Sequence, residues 1–334
     1  MSKNMMWIDG NCFKIPDETA FTDNEYEHLY NIVNSPLDDW TQKSKFKLPH
    51  YYSKKLKLKY LKDKVEEEKQ ILLNDLETEN SVMIEVHGNS IQTVGCAMKE
   101  LHTVIAEIRS QSKPLQFISI PTISDEIKTN FLEFKDKVVQ KQYKGVEESI
   151  FQKAEKLHLT ITVLSLFNSS EIEEVTQCLQ KYKKDVFDNM LNGRNHLSII
   201  LEGLDSMQTD LKKCHVLYAK AKFTDEDENC DLQAIVNSIN NFFYIKGFCK
   251  EQKVDVKLHA TLMNTKYRKV EGRKKFYQKR LPFNAVDIMK DYKDHYFGKC
   301  NFNAIDLSLM SSVDDNGYYK SLATVQILNS ECNN

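Results

Sequence analysis

Residues 156–163 read K-L-H-L-T-I-T-V, and residues 257–264 read K-L-H-A-T-L-M-N. The pattern K-L-H-x-T therefore occurs twice, with its two histidines 101 positions apart (259 minus 158). Each stretch is a short run of mainly apolar and threonine residues, which predicts a β-strand. Because alternate side chains of a strand lie on the same face, His158 and Thr160 share one face, and the leucines lie on the other.

The second stretch places His259 and Thr261 together on one face in the same way. If the two strands lie side by side, two imidazoles and two hydroxyls surround one cleft. Histidine, with an ordinary pKa near ~6.5, can accept a proton from water or a 2′-hydroxyl, or donate one to a leaving oxygen. Threonine hydroxyls can donate hydrogen bonds to phosphate oxygens. The pattern predicts phosphoester chemistry that needs neither a metal nor a cofactor, and it leaves open which histidine is the base.

The repetition of the pattern is what makes it informative. In a chain with 9 histidines, roughly half an H-x-T is expected by chance, so one copy carries no weight. Two copies, each preceded by Lys-Leu, are much less expected. The alternative interpretation is two half-buried strands whose histidines satisfy local hydrogen bonds. His196-Leu-Ser198 lacks the Lys-Leu lead and is interpreted as ordinary sheet.

Composition indicates a globular protein without covalent cross-links. The 334 residues are 41% hydrophobic and 28% charged, which predicts two domains or one large one, and the formal net charge of -2 excludes a uniformly basic binder. The 8 cysteines include no C-x-x-C pair, which favours reduced thiols in an intracellular protein. The first residues lack the apolar run of a signal peptide. No stretch of the sequence is apolar over enough residues to predict a membrane span, so no contact with a membrane is expected.

The pattern of apolar residues predicts an α+β protein with three parts. Residues 1–40 form a partly ordered N-terminal segment, and residues 41–113 form a small α+β module with a helix over 54–73, a strand over 81–88 and a second helix. Residues 114–330 alternate strands and helices in a larger α+β domain. This domain ends in a hairpin that turns at Asn316-Gly317.

Two basic stretches are candidates for contact with RNA. Residues 266–280 follow the second pattern directly and mix cations with aromatic side chains, which suits phosphate neutralisation and base stacking along a single strand. Its alternatives are a solvated loop or a nuclear import signal. The predicted contacts in this stretch are Lys266, Tyr267, Arg268 and Lys269. In the smaller module, where a solvated helix face is the alternative, they are Lys54, Lys55, Lys57 and Lys59.

Paired H-x-T strands in an α+β domain resemble the two-histidine (2H) phosphoesterase superfamily, which includes RNA 2′-5′ ligase-like proteins and the nucleotide-binding domain of A-kinase anchoring proteins. Four strings carry a closer resemblance, to a subunit family of a helicase-containing nuclear coactivator complex. They are W-I-D-G (7–10), E-E-S-I-F-Q-K-A-E-K-L-H-L-T-I (147–161), V-K-L-H-A-T-L-M-N-T-K-Y-R-K (256–269) and F-G-K-C-N-F-N-A-I-D-L-S (297–308).

The resemblance implies a KH domain followed by a two-lobed 2H phosphoesterase domain. It also implies a nuclear protein that acts in transcription coactivation and in the response to alkylation damage. The catalytic residues of the superfamily fall on His158, Thr160, His259 and Thr261, and all four are present.

One departure concerns the KH-like module. A KH domain grips nucleic acid with a G-x-x-G loop, where the backbone approaches phosphates closely. Glycine is absent from 11–87, and Leu56-Lys57-Leu58-Lys59 stands where the loop belongs. Because these residues carry Cβ atoms, we expect a degenerate module that binds RNA weakly through lysines or docks protein.

Two functions from different classes follow. The first is a metal-independent phosphodiesterase that acts on RNA ends or 2′,3′-cyclic phosphates. The alternative is a non-catalytic scaffold subunit whose cleft captures a nucleotide or an RNA end without turnover.

Overall fold

The computed structural model describes most of the chain as two compact units. The described residues are 5–8, 11–14, 22–37, 39–50, 52, 58–78, 81–191, 194, 197–224, 231–249, 254–269 and 280–327. The first unit contains Met1–Pro114, Leu164–Cys178 and Phe242–Gln252, and the second contains Leu115–Val163, Leu179–Asn241 and Lys253–Asn334. The predicted division of the sequence into domains stays a prediction, with its boundaries at 1–40, 41–113 and 114–330.

The described helices and strands are numbered here in chain order. The α-helices are α1 Asp23–Tyr30, α2 Leu58–Lys69, α3 Ile91–Gln111, α4 Asp125–Gln140, α5 Ser169–Tyr182, α6 Asp188–Leu191, α7 Leu232–Ile245 and α8 Val286–Tyr292. The strands of the first unit are β1 Met5–Ile8, β2 Asn11–Lys14, β3 Val33–Asn34, β4 Gln42–Pro49, β5 Leu72–Glu77 and β6 Ser81–Gly88. Those of the second are β7 Gln116–Pro121, β8 His158–Leu164, β9 Ser198–Ser206, β10 Val216–Phe223, β11 Ala260–Asn264, β12 Tyr296–Asn301, β13 Ala304–Val313 and β14 Tyr319–Gln326.

The first unit is built on a four-stranded antiparallel sheet in the order β3-β4-β6-β5, and β1 and β2 pair separately. Helix α3 buries one apolar face in its core, and Ser90 caps its N-terminus by accepting the Thr93 backbone N–H. Helix α1 approaches α3 so closely that a Cβ at Gly95 would lie 2.4 Å from the Tyr26 ring. Glycine at this position therefore lets an aromatic ring pack on the helix backbone.

The helix expected over 54–73 is shorter than the sequence indicated. It covers Leu58–Lys69 within the described residues, Gln70 takes a positive φ of 51°, and Leu72 begins a strand. The strand L-L-N-D-L-E was missed because it has no β-branched or aromatic residue and follows directly on the helical pattern. The KH assignment of this module stays a prediction.

The second unit contains one eight-stranded sheet in the order β12-β9-β10-β11-β8-β7-β13-β14. Strands β8 and β11 lie at its centre, with three strands beyond each, which gives the two lobes of the sheet. The predicted α+β class and two-lobed sheet are confirmed. The predicted hairpin is also present, as β13 and β14 joined by a turn in which Gly317 has a φ of +81°.

Helix α4 illustrates how the apolar pattern supports this unit. Its predicted face, with Ile127, Phe131, Phe134 and Val138, is completely buried. Ser124 caps the helix by accepting the Ile127 backbone N–H, at 3.2 Å.

Candidate active site

The two K-L-H-x-T strings lie on neighbouring strands. Strands β8 and β11 are antiparallel, and Leu159 is the Cα partner of Ala260. Extending this register by one residue sets His158 opposite Thr261 and Thr160 opposite His259. Leu159 and Ala260 are buried on one face, so the four predicted residues lie together on the other.

Each histidine is fixed by the carbonyl of the lysine two positions before it. The Nδ1 atom of His158 lies 2.7 Å from the Lys156 carbonyl oxygen, and that of His259 lies 2.6 Å from the Lys257 oxygen. A carbonyl oxygen can only accept, so Nδ1 carries the hydrogen in both rings. In the neutral ring Nε2 is then the atom that accepts a proton, and in His158 it accepts a hydrogen bond from the Thr160 hydroxyl at 3.0 Å.

His158 lies in an aromatic enclosure. The Phe117 ring is 5.1 Å from its ring centre, and the Tyr319 ring meets it edge-on at 5.2 Å. Burial lowers the pKa of His158 to about 4, and the charges of His259 and Lys156 act in the same direction, against the bond to the Lys156 carbonyl. His158 is therefore a neutral imidazole at pH 7.

His259 packs against a different tyrosine. The Tyr218 ring meets it edge-on at 5.6 Å, and the Tyr218 hydroxyl donates to the Asp205 carboxylate at 2.6 Å. Burial alone would raise the pKa of Asp205, but hydrogen bonds from Tyr218 and Ser206 and the nearby Lys257 lower it overall. A charged carboxylate thus anchors the tyrosine beside His259.

The lysines of the two strings extend over these tyrosines. The Lys156 ammonium lies 4.6 Å from the centre of the Tyr319 ring, and that of Lys257 lies 5.0 Å from the Tyr218 ring. Sequence reasoning missed both tyrosines, because they belong to strands remote in the chain from the strings. The one signal in the sequence was the lysine that the two copies share.

The basic stretch after the second string is only partly described. Lys266 and Lys269 are exposed, and Tyr267 is half-buried, with its hydroxyl accepting from Gln152 Nε2 at 3.0 Å. Arg268 forms an ion pair with Glu147 and donates to the Gly145 carbonyl at 2.9 Å. Contact of these residues with RNA stays a prediction.

Residues 270–279 lie outside the described residues, as do the predicted RNA contacts Lys54, Lys55 and Lys57. Lys59 lies in α2. Across the described ranges, no group of three or more His, Cys, Asp or Glu is placed to hold a metal ion. No helix in the described part of the chain has the length and apolar character needed to cross a membrane.

Two antiparallel H-x-T strands at the centre of a two-lobed sheet define the class of the domain, which is a 2H phosphoesterase, or RNA 2′-5′ ligase-like, domain. Residues 114–327 match the family described as AKAP7 2'5' RNA ligase-like domain. The chain is also 31% identical over 273 residues to activating signal cointegrator 1 complex subunit 1 of Mus musculus, over 75% of this chain and 76% of that protein. The chain belongs to the family of activating signal cointegrator 1 complex subunit 1.

Two further likenesses are more distant. An uncharacterized protein of Schizosaccharomyces pombe is 25% identical over 223 residues, which cover 64% of this chain and 96% of that protein. The crystal structure of TT0787 of Thermus thermophilus has 17% identity and a TM-score of 0.38, and the match covers 64% of this chain and 97% of that one.

Proposed function

We propose that this protein is a metal-independent phosphodiesterase that acts on RNA ends, with a terminal 2′,3′-cyclic phosphate as the preferred substrate. The pairing of Leu159 with Ala260 carries the proposal, because it brings two imidazoles and two hydroxyls onto one face. Both rings hold their hydrogen on Nδ1, toward a carbonyl, so both can use Nε2 for proton transfer.

The different surroundings of the two histidines support a proposed role for each. His158 is neutral at pH 7, because burial lowers its pKa to about 4, so it suits the general base. It takes a proton from water as the water oxygen bonds to phosphorus. The phosphorus–oxygen bond to one ribose oxygen breaks, and protonated His259 gives its proton to that oxygen. The product is a phosphomonoester with a free neighbouring hydroxyl.

The threonines hold the phosphate in this scheme. Thr160 donates to His158 Nε2 in the structure, so its hydroxyl has to turn toward a non-bridging oxygen when the substrate binds. Nε2 is then open to the attacking water. Thr261, opposite His158 in the extended register, donates to the phosphate from the other strand.

The proposal includes an RNA-binding surface and a cellular setting. Exposed Lys266 and Lys269 follow the second string directly and supply positive charge for the RNA chain. The mouse relative is by name a complex subunit. We extend this to a nuclear subunit of the helicase-containing activating signal cointegrator complex, which acts in transcription coactivation and alkylation-damage repair and carries a degenerate KH-like module.

Turnover of end-labelled RNA tests the reaction. Short RNAs with a 3′-phosphate, a 2′,3′-cyclic phosphate or a 3′-hydroxyl are incubated with the full chain, with and without EDTA. We expect opening of the cyclic phosphate alone, unaffected by EDTA and lost in His158→Gln and His259→Gln. Turnover that survives either substitution contradicts the assignment of catalysis, and loss with EDTA contradicts metal independence. Tight binding without turnover, lost in both variants, supports the scaffold function instead.

The KH-like module has a separate test. Charge reversal of Lys55, Lys57 and Lys59 to glutamate lowers RNA affinity if these lysines contact RNA. Unchanged affinity in the triple variant removes this module as a binding surface.

A further inference from the structure

The two halves of the site share an arrangement of three side chains. In each half a lysine ammonium lies over a tyrosine ring, at 4.6 Å for Lys156 and Tyr319 and at 5.0 Å for Lys257 and Tyr218. The same tyrosine meets the histidine of that string edge-on, with ring planes at 81° for His158 and 74° for His259.

The tyrosines come from different strands, β14 and β10, and neither belongs to a repeated string. The arrangement is therefore a property of the fold.

The hydroxyl of each tyrosine lies beside a polar side chain, and that of Tyr218 is hydrogen-bonded to it. The Tyr218 hydroxyl donates to the Asp205 carboxylate at 2.6 Å. The Tyr319 hydroxyl lies near the side chain of Gln152, which is itself buried and donates to Tyr267. A ring held at its hydroxyl and covered by a cation on its face has little freedom to rotate. It presents a fixed surface to the neighbouring imidazole.

The lysine acts on its histidine by two routes. Its carbonyl accepts the Nδ1 hydrogen, which fixes the tautomer, and its ammonium covers the tyrosine that contacts the imidazole ring. The carbonyl belongs to the backbone and would be present with any residue. The repeated lysine side chain therefore needs a separate explanation, and its position over the tyrosine supplies one.

We propose that Lys156 with Tyr319, and Lys257 with Tyr218, are two pairs of positioning residues that hold the reactive imidazoles in place. The pairs act through His158 and His259 and do not contact the reacting atoms. The inference rests on the proposed function for its effect on turnover. Its effect on the imidazole rings is independent of any substrate.

For His158 the pair also has an electrostatic consequence. The groups that face it are Lys156 just before β8, Thr160 in β8, His259 just before β11, Tyr319 in β14 and the uncharged Phe117 in β7. Lys156 and His259 are the titrating cations among these, and both disfavour a proton on His158. Removing the Lys156 charge should therefore raise the pKa of His158. Lys156→Arg keeps the positive charge and should leave the pKa of His158 unchanged.

The experiment measures the histidine rings in the full-length protein by NMR, as the tautomer and the pKa of each ring. Lys156→Met and Lys257→Met keep most of the stem and remove the charge. We expect Lys156→Met to raise the pKa of His158 by about half a unit, a shift typical of one partly screened charge. In each Lys→Met variant and each Tyr→Leu variant, the histidine of the same half should populate both neutral tautomers in place of the Nδ1–H form alone. The histidine of the other half should keep the wild-type tautomer. Lys→Arg should restore the wild-type spectrum.

Lys222→Met is the matched control, because this lysine lies on the same strand as Tyr218 but has 60% of its side chain exposed, 3.9 Å from Glu202. It should change neither ring. Wild-type ring signals in both Lys→Met variants, or equal changes in the control, overturn the proposal. Ring changes in a protein without turnover overturn the phosphodiesterase function and leave the positioning pairs supported.

Turnover gives the second measurement. Where the wild type opens cyclic phosphate, the Lys→Met and Tyr→Leu variants should lower kcat about tenfold or more, with little change in KM, since misplaced groups lose transition-state contacts. Lys156→Met should also move the acid limb of the pH–rate profile upward. A kcat loss with an unmoved acid limb and normal rings would indicate only a general structural effect, and would overturn the inference.

Discussion

Leu159 lies opposite Ala260 at the centre of the eight-stranded sheet, and both side chains are buried on the face away from the histidines. This single pair determines that Thr160, not His158, is the cross-strand neighbour of His259. A shift of register by one residue would turn one string away from the other. The register set by packing on the buried face of the two strands is thus needed to bring the histidines and threonines together on the other face.

Leu159→Ala tests this dependence. Removing a fully buried leucine should lower the free energy of unfolding by about 2–4 kcal/mol, through lost transfer energy and a residual cavity. Hydrogen exchange of the β8 and β11 amides in the full chain measures the effect in the unit concerned. Leu132→Ala on α4, where the side chain is 46% exposed, is the control and should have a much smaller effect. Equal protection of β8 in the two variants would contradict the packing argument.

The pKa of His158 predicts how stability depends on pH. Burial lowers it to about 4 from an ordinary 6.5, so between these values the unfolded chain binds more protons at this residue than the folded one. The stabilisation is fully present above pH 6.5 and is lost as the pH falls toward 4. Its size is on the order of 2–3 kcal/mol.

Urea unfolding at pH 7, 6 and 5 measures this linkage as the difference between wild type and His158→Gln, so that other titrating groups cancel. His102, in the first unit, also has its pKa lowered, to about 3, by burial, and His102→Gln serves as a comparison. The His158→Gln difference should shrink as the pH falls. A difference that is constant across this range would show that His158 titrates normally in the folded protein.

The basic residues after the second string should separate into two kinds. Lys266 and Lys269 are exposed, so alanine at each should weaken RNA binding. The slope of log affinity against log salt concentration should fall in magnitude by about one for each lysine removed, and the midpoint of thermal unfolding should not change. Arg268 is engaged by Glu147 and the Gly145 carbonyl, so Arg268→Ala should lower the thermal midpoint. Affinity at several salt concentrations and calorimetry on the three variants check this. An unchanged midpoint of thermal unfolding in Arg268→Ala would contradict the claim that the contacts of Arg268 with Glu147 and Gly145 stabilise the fold.

The sequence allowed the strands and their polar face to be predicted, because His158 and Thr160 alternate with buried leucines. It could not reveal Tyr218 and Tyr319, since nothing local in a strand states which remote strand will contact it. The same limit hid β5, whose leucines and acids have weak strand propensity and are held by pairing with β6. Local patterns thus predicted which residues share the polar face, and long-range pairing determined the residues that surround them.

The close approach of α1 to α3 gives a prediction with an unusual sign. Gly→Ala inside a helix ordinarily stabilises it by about 1 kcal/mol. At Gly95 the new Cβ would lie 2.4 Å from the Tyr26 ring, so Gly95→Ala should instead destabilise the first unit by about 1–3 kcal/mol.

Calorimetry of the full chain, with hydrogen exchange of α1 and α3, measures the change for Gly95→Ala, for Tyr26→Ala and for the double variant. Because the clash needs both partners, Gly95→Ala should cost little or even stabilise once Tyr26 is replaced by alanine. The single variants act within one contact, so a strong deviation from additivity is expected. Additive effects of the two substitutions would show that the tyrosine does not pack on the helix backbone at this glycine.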